Sequence, residues 1–416
     1  MPLSDSTIQQ LKLPLTNQMI NWVGKIGKKY GINLVKLSEN SLLKTAYRET
    51  GLYDWGEDDF RAPFKTLLDS FEREANLNLL GRVAARQTCI RLLTNRLYIQ
   101  ENLRRNPEIL QIPVIRPLFI IGLTRTGTTL LHNLLAQDPD VRVPLMWELM
   151  YPSPLPFKKI DGVDSRIKLS EKKIRQLYSM APQIFSIHPY NHKGPEECIL
   201  LFQNALRSFY FVLYYHVPQY TEWLLQQDMF DAYKYFLRQL QLLHWQCPAK
   251  RWVLKSPAHL YSLDALFSVF PDACLIQTHR DPKKVIPSIC SLSGMATKMS
   301  SDEVNLKYLG EKGLFLCKTA VDRGMKVRNS DNAAQFYDVH YQDIISNPTG
   351  VVRSIYDYFG YEFTTRMEEK MKSWLKANPQ HKYGRHKYSL EEFDLDKKTI
   401  DTQFAAYRKR FNVKSE

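Results

Sequence analysis

The chain has 416 residues, 44% hydrophobic and 24% charged, which gives length for one large or two ordinary domains and the composition of a soluble globular protein. Lys+Arg 57 against Asp+Glu 43 leaves +14, a balance that suits an anionic ligand, a nucleic acid or an acidic surface. No long Lys/Arg block and no single basic helix concentrates this charge, so a diffuse solubility charge is the default reading. Six scattered cysteines without a C-x-x-C pair exclude a disulfide frame or zinc site, and no apolar run approaches the ~20 residues of a membrane span.

Residues 1–112 read as a helical cap. The opening MPLSDSTIQQLKLPLTNQMI lacks a basic segment followed by an apolar one, so no leader is expected and a cytoplasmic protein follows. Residues 63–106 are the clearest helical part, with Leu67, Leu68, Phe71, Ala75 and Leu79 at helical spacing. Leu92, Leu93, Leu97 and Ile99 continue the pattern, with Arg96, Arg104 and Arg105 on the polar side.

The second region, 113–416, opens on the stretch that organises the rest. LFII (118–121) reads as a buried strand, GLTRTG (122–127) as a tight turn, and Thr128-Thr129 as a helix start carrying Leu130, Leu131, Leu134 and Leu135 inward. Loop N–H groups and a helix N-terminus then face one point and form an anion cradle. Arg125 adds a forked cation, and Thr126, Thr128 and Thr129 add hydroxyls. The spacing is nearly G-x-x-x-x-G-K-[ST], but Thr128 stands where a nucleoside triphosphatase needs lysine, which disfavours ATP or GTP hydrolysis.

Next come WELMY (147–151) and the prolines Pro152, Pro154 and Pro156, which force extended chain and turns. A surface helix is expected over 165–180, then a loop over 183–197 with His188, His192, Glu196 and Glu197. A helical region from 196 to 247, broken near Pro218, is crowded with aromatics such as Phe202, Phe209, Tyr214 and Trp223. Most are expected in the core, with walling of a pocket for an apolar acceptor as their other use. Three more strands, 251–254, 273–278 and 335–341, each precede a helix. Repeated strand–turn–helix units predict a P-loop-like α/β fold with a doubly wound parallel sheet flanked by helices. Its strands end in TRTGTT, KSPAH, THRDP and YQD, and ligands bind outside such ends. Arg125, Lys255, Arg280 and the helix start at Thr128 should therefore surround one anionic ligand.

These motifs resemble sulfotransferases that use 3′-phosphoadenosine-5′-phosphosulfate (PAPS), in the broad, mainly bacterial branch related to tyrosylprotein sulfotransferase. The resemblance covers about residues 114–390, with the motifs in the family's order. IGLTRTGTT (121–129) is similar to the loop holding the 5′-phosphosulfate, and WVLKSP (252–257) to the strand carrying the catalytic lysine, here Lys255. THRDP (278–282) with Ser288 is similar to the 3′-phosphate motif, an arginine followed eight residues on by a serine. Tyr341-Gln342-Asp343 resembles the family's Y-E-D, and GRHKYSL (384–390) its closing loop, which would bring Arg385 and Lys387 to the nucleotide.

The resemblance implies PAPS as co-substrate, no metal, and catalysis by Lys255, Arg125 and a general base. Cytosolic sulfotransferases have a histidine two residues after the lysine, where this chain has Pro257. Tyrosylprotein-type relatives use a glutamate downstream of the loop helix, which points to Glu148, with His259, His188 and Glu197 as rivals. The expected acceptor is a small molecule or peptide offering a hydroxyl or amine, apolar or aromatic in character. The rival readings are a P-loop-type nucleotide or small-molecule kinase, which the missing lysine opposes, and an RNA-binding module, which no RNA motif supports.

Overall fold

A computed structural model describes residues 8, 13–154, 159–160, 163–180, 189–329, 331–379 and 388–416, with side chains described outside 155–163. The framework is a five-stranded sheet in the order β2-β5-β1-β6-β7, with every ladder parallel. Its strands are β1 (Leu118–Gly122), β2 (Val141–Arg142), β5 (Arg251–Lys255), β6 (Cys274–His279) and β7 (Phe336–His340); β3 (Lys159–Ile160) and β4 (Val163–Asp164) form a separate hairpin. β1 is buried at all five positions, as a central parallel strand with both faces covered must be.

The pleat of β1 divides the core in two. Phe119 and Ile121 join the larger cluster, while Leu118 and Ile120 join a smaller one with Leu131, Leu134 and Leu135. The larger cluster also contains buried side chains of α2 (Glu39–Thr50), α3 (Arg61–Arg73) and α4 (Leu79–Arg105), whereas α1 (Leu15–Lys29) adds none to it. Leu67, Leu92, Leu93 and Leu97, expected on the inner face of the helical segment, lie there beside the sheet residues. The smaller cluster is closed by α5 (Thr128–Leu135) and the helices Pro348–Phe359 and Thr365–Ala377.

Strand order places the site. β1 has β5 on one side and β6 on the other, so the chain reverses direction across the sheet there. In open α/β sheets such a reversal leaves a crevice at the carboxyl ends of the strands. The register pairs Ile120 with Lys255 and Gly122 with Thr278, which brings three of the polar strand ends together.

Three elements differ from the sequence reading. The edge strand β2 is only two residues long, too short for a periodicity. The 196–247 region is a series of short helices, including Ile199–Phe202, Phe209–Tyr214, Pro218–Gln226 and Phe230–Gln246. It breaks at Leu206, which has φ 55°, and restarts at Ser208, whose hydroxyl caps Tyr210 N, and at Pro218. Leu306–Val327 forms a helix to which the sequence reading assigned no element.

Candidate active site

The loop after β1 is shaped by close contact with β6. Gly122 has φ 131°, and a Cβ there would stand 2.3 Å from Thr278 Oγ1. Thr126 Oγ1 donates to the Leu123 carbonyl at 2.6 Å and lies 2.6 Å from Thr278 Oγ1. The Thr126 side chain is thus buried as a pin between loop and sheet, and does not offer its hydroxyl to a ligand as expected. Arg125, at φ 69°, and Gly127, at φ 90°, turn the backbone into α5. Arg125 is exposed, Thr128 is buried and Thr129 is exposed at the helix start. The N–H groups of Thr128, Thr129 and Leu130 have no intrahelical acceptor, by the geometry of any helix start.

Arg280, after β6, joins this loop. Its Nη1 donates to the Arg125 carbonyl at 3.0 Å, and its guanidinium lies 3.7 Å from the centre of the Tyr341 ring. Tyr341 begins the helix Tyr341–Ser346, against which Gly127 packs. Arg125, Gly127, Arg280 and Tyr341 are therefore gathered at one place. The rest of the Arg280 fork is held by Glu416, whose two carboxylate oxygens accept from Nε at 3.2 and 3.1 Å. The guanidinium is thus engaged by a carboxylate, the kind of anion its fork geometry suits. Asp281 caps the helix Pro282–Ser300 through Lys283 N at 3.1 Å, and Ser288 is buried further along that helix. Arg385, Lys387 and His188 lie outside the described residues.

Lys255 ends β5 almost fully enclosed, with 1% of its side chain exposed, and its Nζ donates to Glu197 Oε1 at 2.6 Å. Glu197 is 22% exposed, so the pair leads from the sheet end towards solvent. The backbone fixes both partners, because Cys198 N donates to the Lys255 carbonyl at 3.1 Å. His259, one of the rival bases, is committed to the core. Its Nδ1 is 2.7 Å from Tyr233 Oη and its Nε2 is 3.2 Å from Cys198 Sγ. Burial pushes its pKa down to about 3, so it stays neutral and sealed.

Glu148 has a different task from the one expected. It sits in the first turn of the helix Met146–Met150, buried, with Oε1 accepting from Arg142 Nη2 at 2.6 Å and Oε2 from Leu145 N at 3.0 Å. Arg142 is buried too, and also donates to the carbonyls of Leu243 and Cys247. Both Glu148 oxygens are consumed in fastening β2 to this helix. Sequence spacing found a glutamate in the right region. It did not show that Arg142, six residues earlier, would claim it.

A model of the sulfotransferase family matches residues 117–365, which include both the loop and the Lys255 strand. The chain belongs to the sulfotransferase family. Two proteins named omega-hydroxy-beta-dihydromenaquinone-9 sulfotransferase Stf3, from Mycobacterium bovis and Mycobacterium tuberculosis, are each 27% identical over 287 residues, 66% of this chain and 71% of theirs. The crystal structure of sulfotransferase STF9 from Mycobacterium avium has a TM-score of 0.84 at 27% identity, covering 92% of this chain and 98% of that one. Sulfotransferase STF1 from Mycobacterium tuberculosis H37Rv has a TM-score of 0.75 at 33% identity, covering 89% and 98%.

As a sulfotransferase the protein must bring a sulfuryl donor and an acceptor to one point. Beside Ser256 and Ala258, just past Lys255, lies a small cavity of about 20 Å³, room for about one water, where Ile199, Phe202, Phe209 and Met229 meet Arg207, Ser208 and His259. Most of the aromatics lie in the core as expected: Phe202, Phe211, Tyr215 and Tyr220 are buried in the larger cluster, and Phe202 and Phe209 also border this cavity.

Proposed function

We propose that this sulfotransferase transfers the sulfuryl group of PAPS to a hydroxyl on an apolar acceptor, with Lys255 and Glu197 at the reacting centre. One observation carries this reading: the enclosed Lys255–Glu197 pair at 2.6 Å, at the end of the strand beside the anion loop. The donor's 5′-phosphosulfate takes the loop 122–129, with Arg125 and the α5 N-terminus as its cationic partners. The 3′-phosphate takes Arg280, displacing Glu416, with Ser288 on the same helix and Arg385 as a further ligand. Tyr341, stacked on Arg280, flanks the nucleotide.

Sulfuryl transfer builds negative charge on the leaving phosphate oxygen, so an ammonium held ready there lowers the barrier by electrostatics. Lys255 supplies it. The attacking hydroxyl must lose a proton, and Glu197 accepts it, being partly open to solvent on the far side of the same ammonium. Glu197 replaces Glu148 in this role, because freeing Glu148 means breaking a buried ion pair at a cost of about 3–5 kcal/mol. The reading needs no metal, because Lys255 and Arg125 already supply positive charge at the leaving phosphate. An apolar hydroxyl compound is favoured over an amine or a peptide by the name omega-hydroxy-beta-dihydromenaquinone-9 sulfotransferase that the Stf3 relatives carry, and Ile199, Phe202, Phe209 and Met229 beside Lys255 accord with it. The cysteines among the described residues are unpaired, and all but Cys247 are buried, which accords with a reducing compartment.

Thermal shift tests the donor site. Adenosine 3′,5′-bisphosphate should raise the melting temperature without magnesium, by mass action equivalent to about 2.7 kcal/mol at a hundredfold excess over Kd. Arg280→Ala should remove the shift. Stabilisation only by ATP with magnesium would return the chain to a kinase-like donor.

A further inference from the structure

Helix α1 presents an unusual face to the body of the protein. Its buried position is Asn21, whose Oδ1 accepts from Leu80 N at 3.1 Å. Gly24 lies so close to α4 that a Cβ would stand 2.5 Å from Leu79 Cβ. The small and polar side of α1 is thus the packed side. The apolar side points away: Leu15 is 78% exposed, Met19 69%, Trp22 63%, Val23 48% and Ile26 38%. These positions recur at the spacing of one helical face and form a stripe. The stripe continues past the helix end through Tyr30, Ile32 and Leu34, all more than half exposed. Nothing among the described residues covers it. Scattered exposed apolar residues are ordinary, but a contiguous run of this kind marks an interaction surface.

Its charge says what kind. Residues 13–37 contain Lys25, Lys28, Lys29 and Lys36 and no aspartate or glutamate, although the chain as a whole carries 43 acids. Lys28, Lys29 and Lys36 are exposed, and Lys25 keeps 63% of its side chain exposed while 3.3 Å from Asp302. An apolar stripe that includes Trp22 and Tyr30, carried by a segment whose own charges are all lysine, has the make-up of a helix lying in the plane of a membrane interface. Pairing with a second copy of itself would set lysines against lysines. An anionic headgroup layer meets the same lysines with opposite charge.

We infer that α1 and the turn to Leu34 form a peripheral anchor that lays this face on an anionic lipid surface. A chain of contacts ties the anchor to the helix Phe209–Tyr214, which borders the cavity beside Lys255. Ile8, just before α1, is buried with its Cδ1 against Gly294 of the helix Pro282–Ser300. Ser293 of that helix donates to the Leu213 carbonyl at 2.7 Å, in the helix whose Phe209 borders the cavity. An apolar hydroxyl acceptor held in the same lipid surface then meets the enzyme there, a consequence that rests on the proposed function; the anchor itself does not.

Flotation of the full chain with vesicles tests it. The protein should float with phosphatidylcholine–phosphatidylglycerol vesicles, more weakly with phosphatidylcholine alone, and less in high salt. The double variant Met19→Glu/Trp22→Glu, altered only at exposed positions, should lose about tenfold or more of the bound fraction while keeping the wild-type melt. Lys28→Gln/Lys29→Gln should keep binding to neutral vesicles and lose the preference for anionic ones; it decides the matter if the first variant melts differently. Flotation absent with both vesicle types, or unchanged in both variants, overturns the anchor. So does a concentration-dependent dimer that Met19→Glu/Trp22→Glu dissolves without any vesicle binding in the wild type. Failed flotation with the bisphosphate shift intact discards the anchor alone, and the reverse discards the donor reading alone.

Discussion

At the scale of single residues, what decides a role is which atoms are already spoken for. Glu148 and Glu197 are both carboxylates paired to cations, at the same 2.6 Å. Glu148 also accepts from a backbone N–H and is buried with its arginine, whereas Glu197 remains partly open beside Lys255. Glu148→Gln should therefore cost stability, about 3–5 kcal/mol from a buried Arg142 left without its charge. A urea titration of that variant checks it, and turnover per folded molecule should remain close to wild type. The placement of Arg125, Lys255 and Arg280, which the proposed function gives the chemistry, was legible because each lies at or just past the end of a strand that reads from its apolar run. The partners of Glu148 and Thr126, Arg142 and Thr278, were not legible, because they are set by the fold and not by local spacing.

At the scale of elements, the loop between β1 and α5 depends on the close approach of β6. Gly122→Ala adds a Cβ at φ 131° and within 2.5 Å of the Thr278 carbonyl oxygen, so strand and loop must separate. This substitution should destabilise the protein by about 2 kcal/mol or more and weaken bisphosphate binding beyond that loss. Melting curves with and without the nucleotide separate the two effects. Long apolar runs such as β1 and β6 were readable because burial on both faces leaves no alternative composition. The two-residue β2 carries no pattern; the break at Pro218 was readable from its proline, whereas the earlier one comes from a left-handed Leu206 and a serine cap. The surface helix expected over 165–180 is present as Ser165–Met180.

At the scale of the whole molecule, the sheet seals two histidines. Burial pushes both His132 and His259 down to about 3. Below their ordinary value near 6.5, the unfolded chain binds protons that the folded one refuses. Their share of stability is therefore complete above about pH 6.5 and is lost as pH falls towards 3. Unfolding midpoints should drop over this window, and His132→Gln should flatten the fall by roughly one proton, about 1.4 kcal/mol per pH unit. The overall architecture was legible from four strand ends, since a parallel sheet must bring them to one edge. The outward stripe of α1 was not, because an amphipathic pattern shows that a helix has two faces and not which of them the body takes.

The measurement that bears most directly on the reacting centre is single-turnover sulfuryl transfer from labelled PAPS to a panel of apolar hydroxyl acceptors, comparing the wild type with Glu197→Gln and Glu148→Gln. The structure predicts transfer by the wild type and by Glu148→Gln, and a loss of about a hundredfold or more in Glu197→Gln with nucleotide binding retained. Undiminished transfer by Glu197→Gln, or its loss in Glu148→Gln at full folding, would contradict the assignment of Lys255 and Glu197 as the reacting pair.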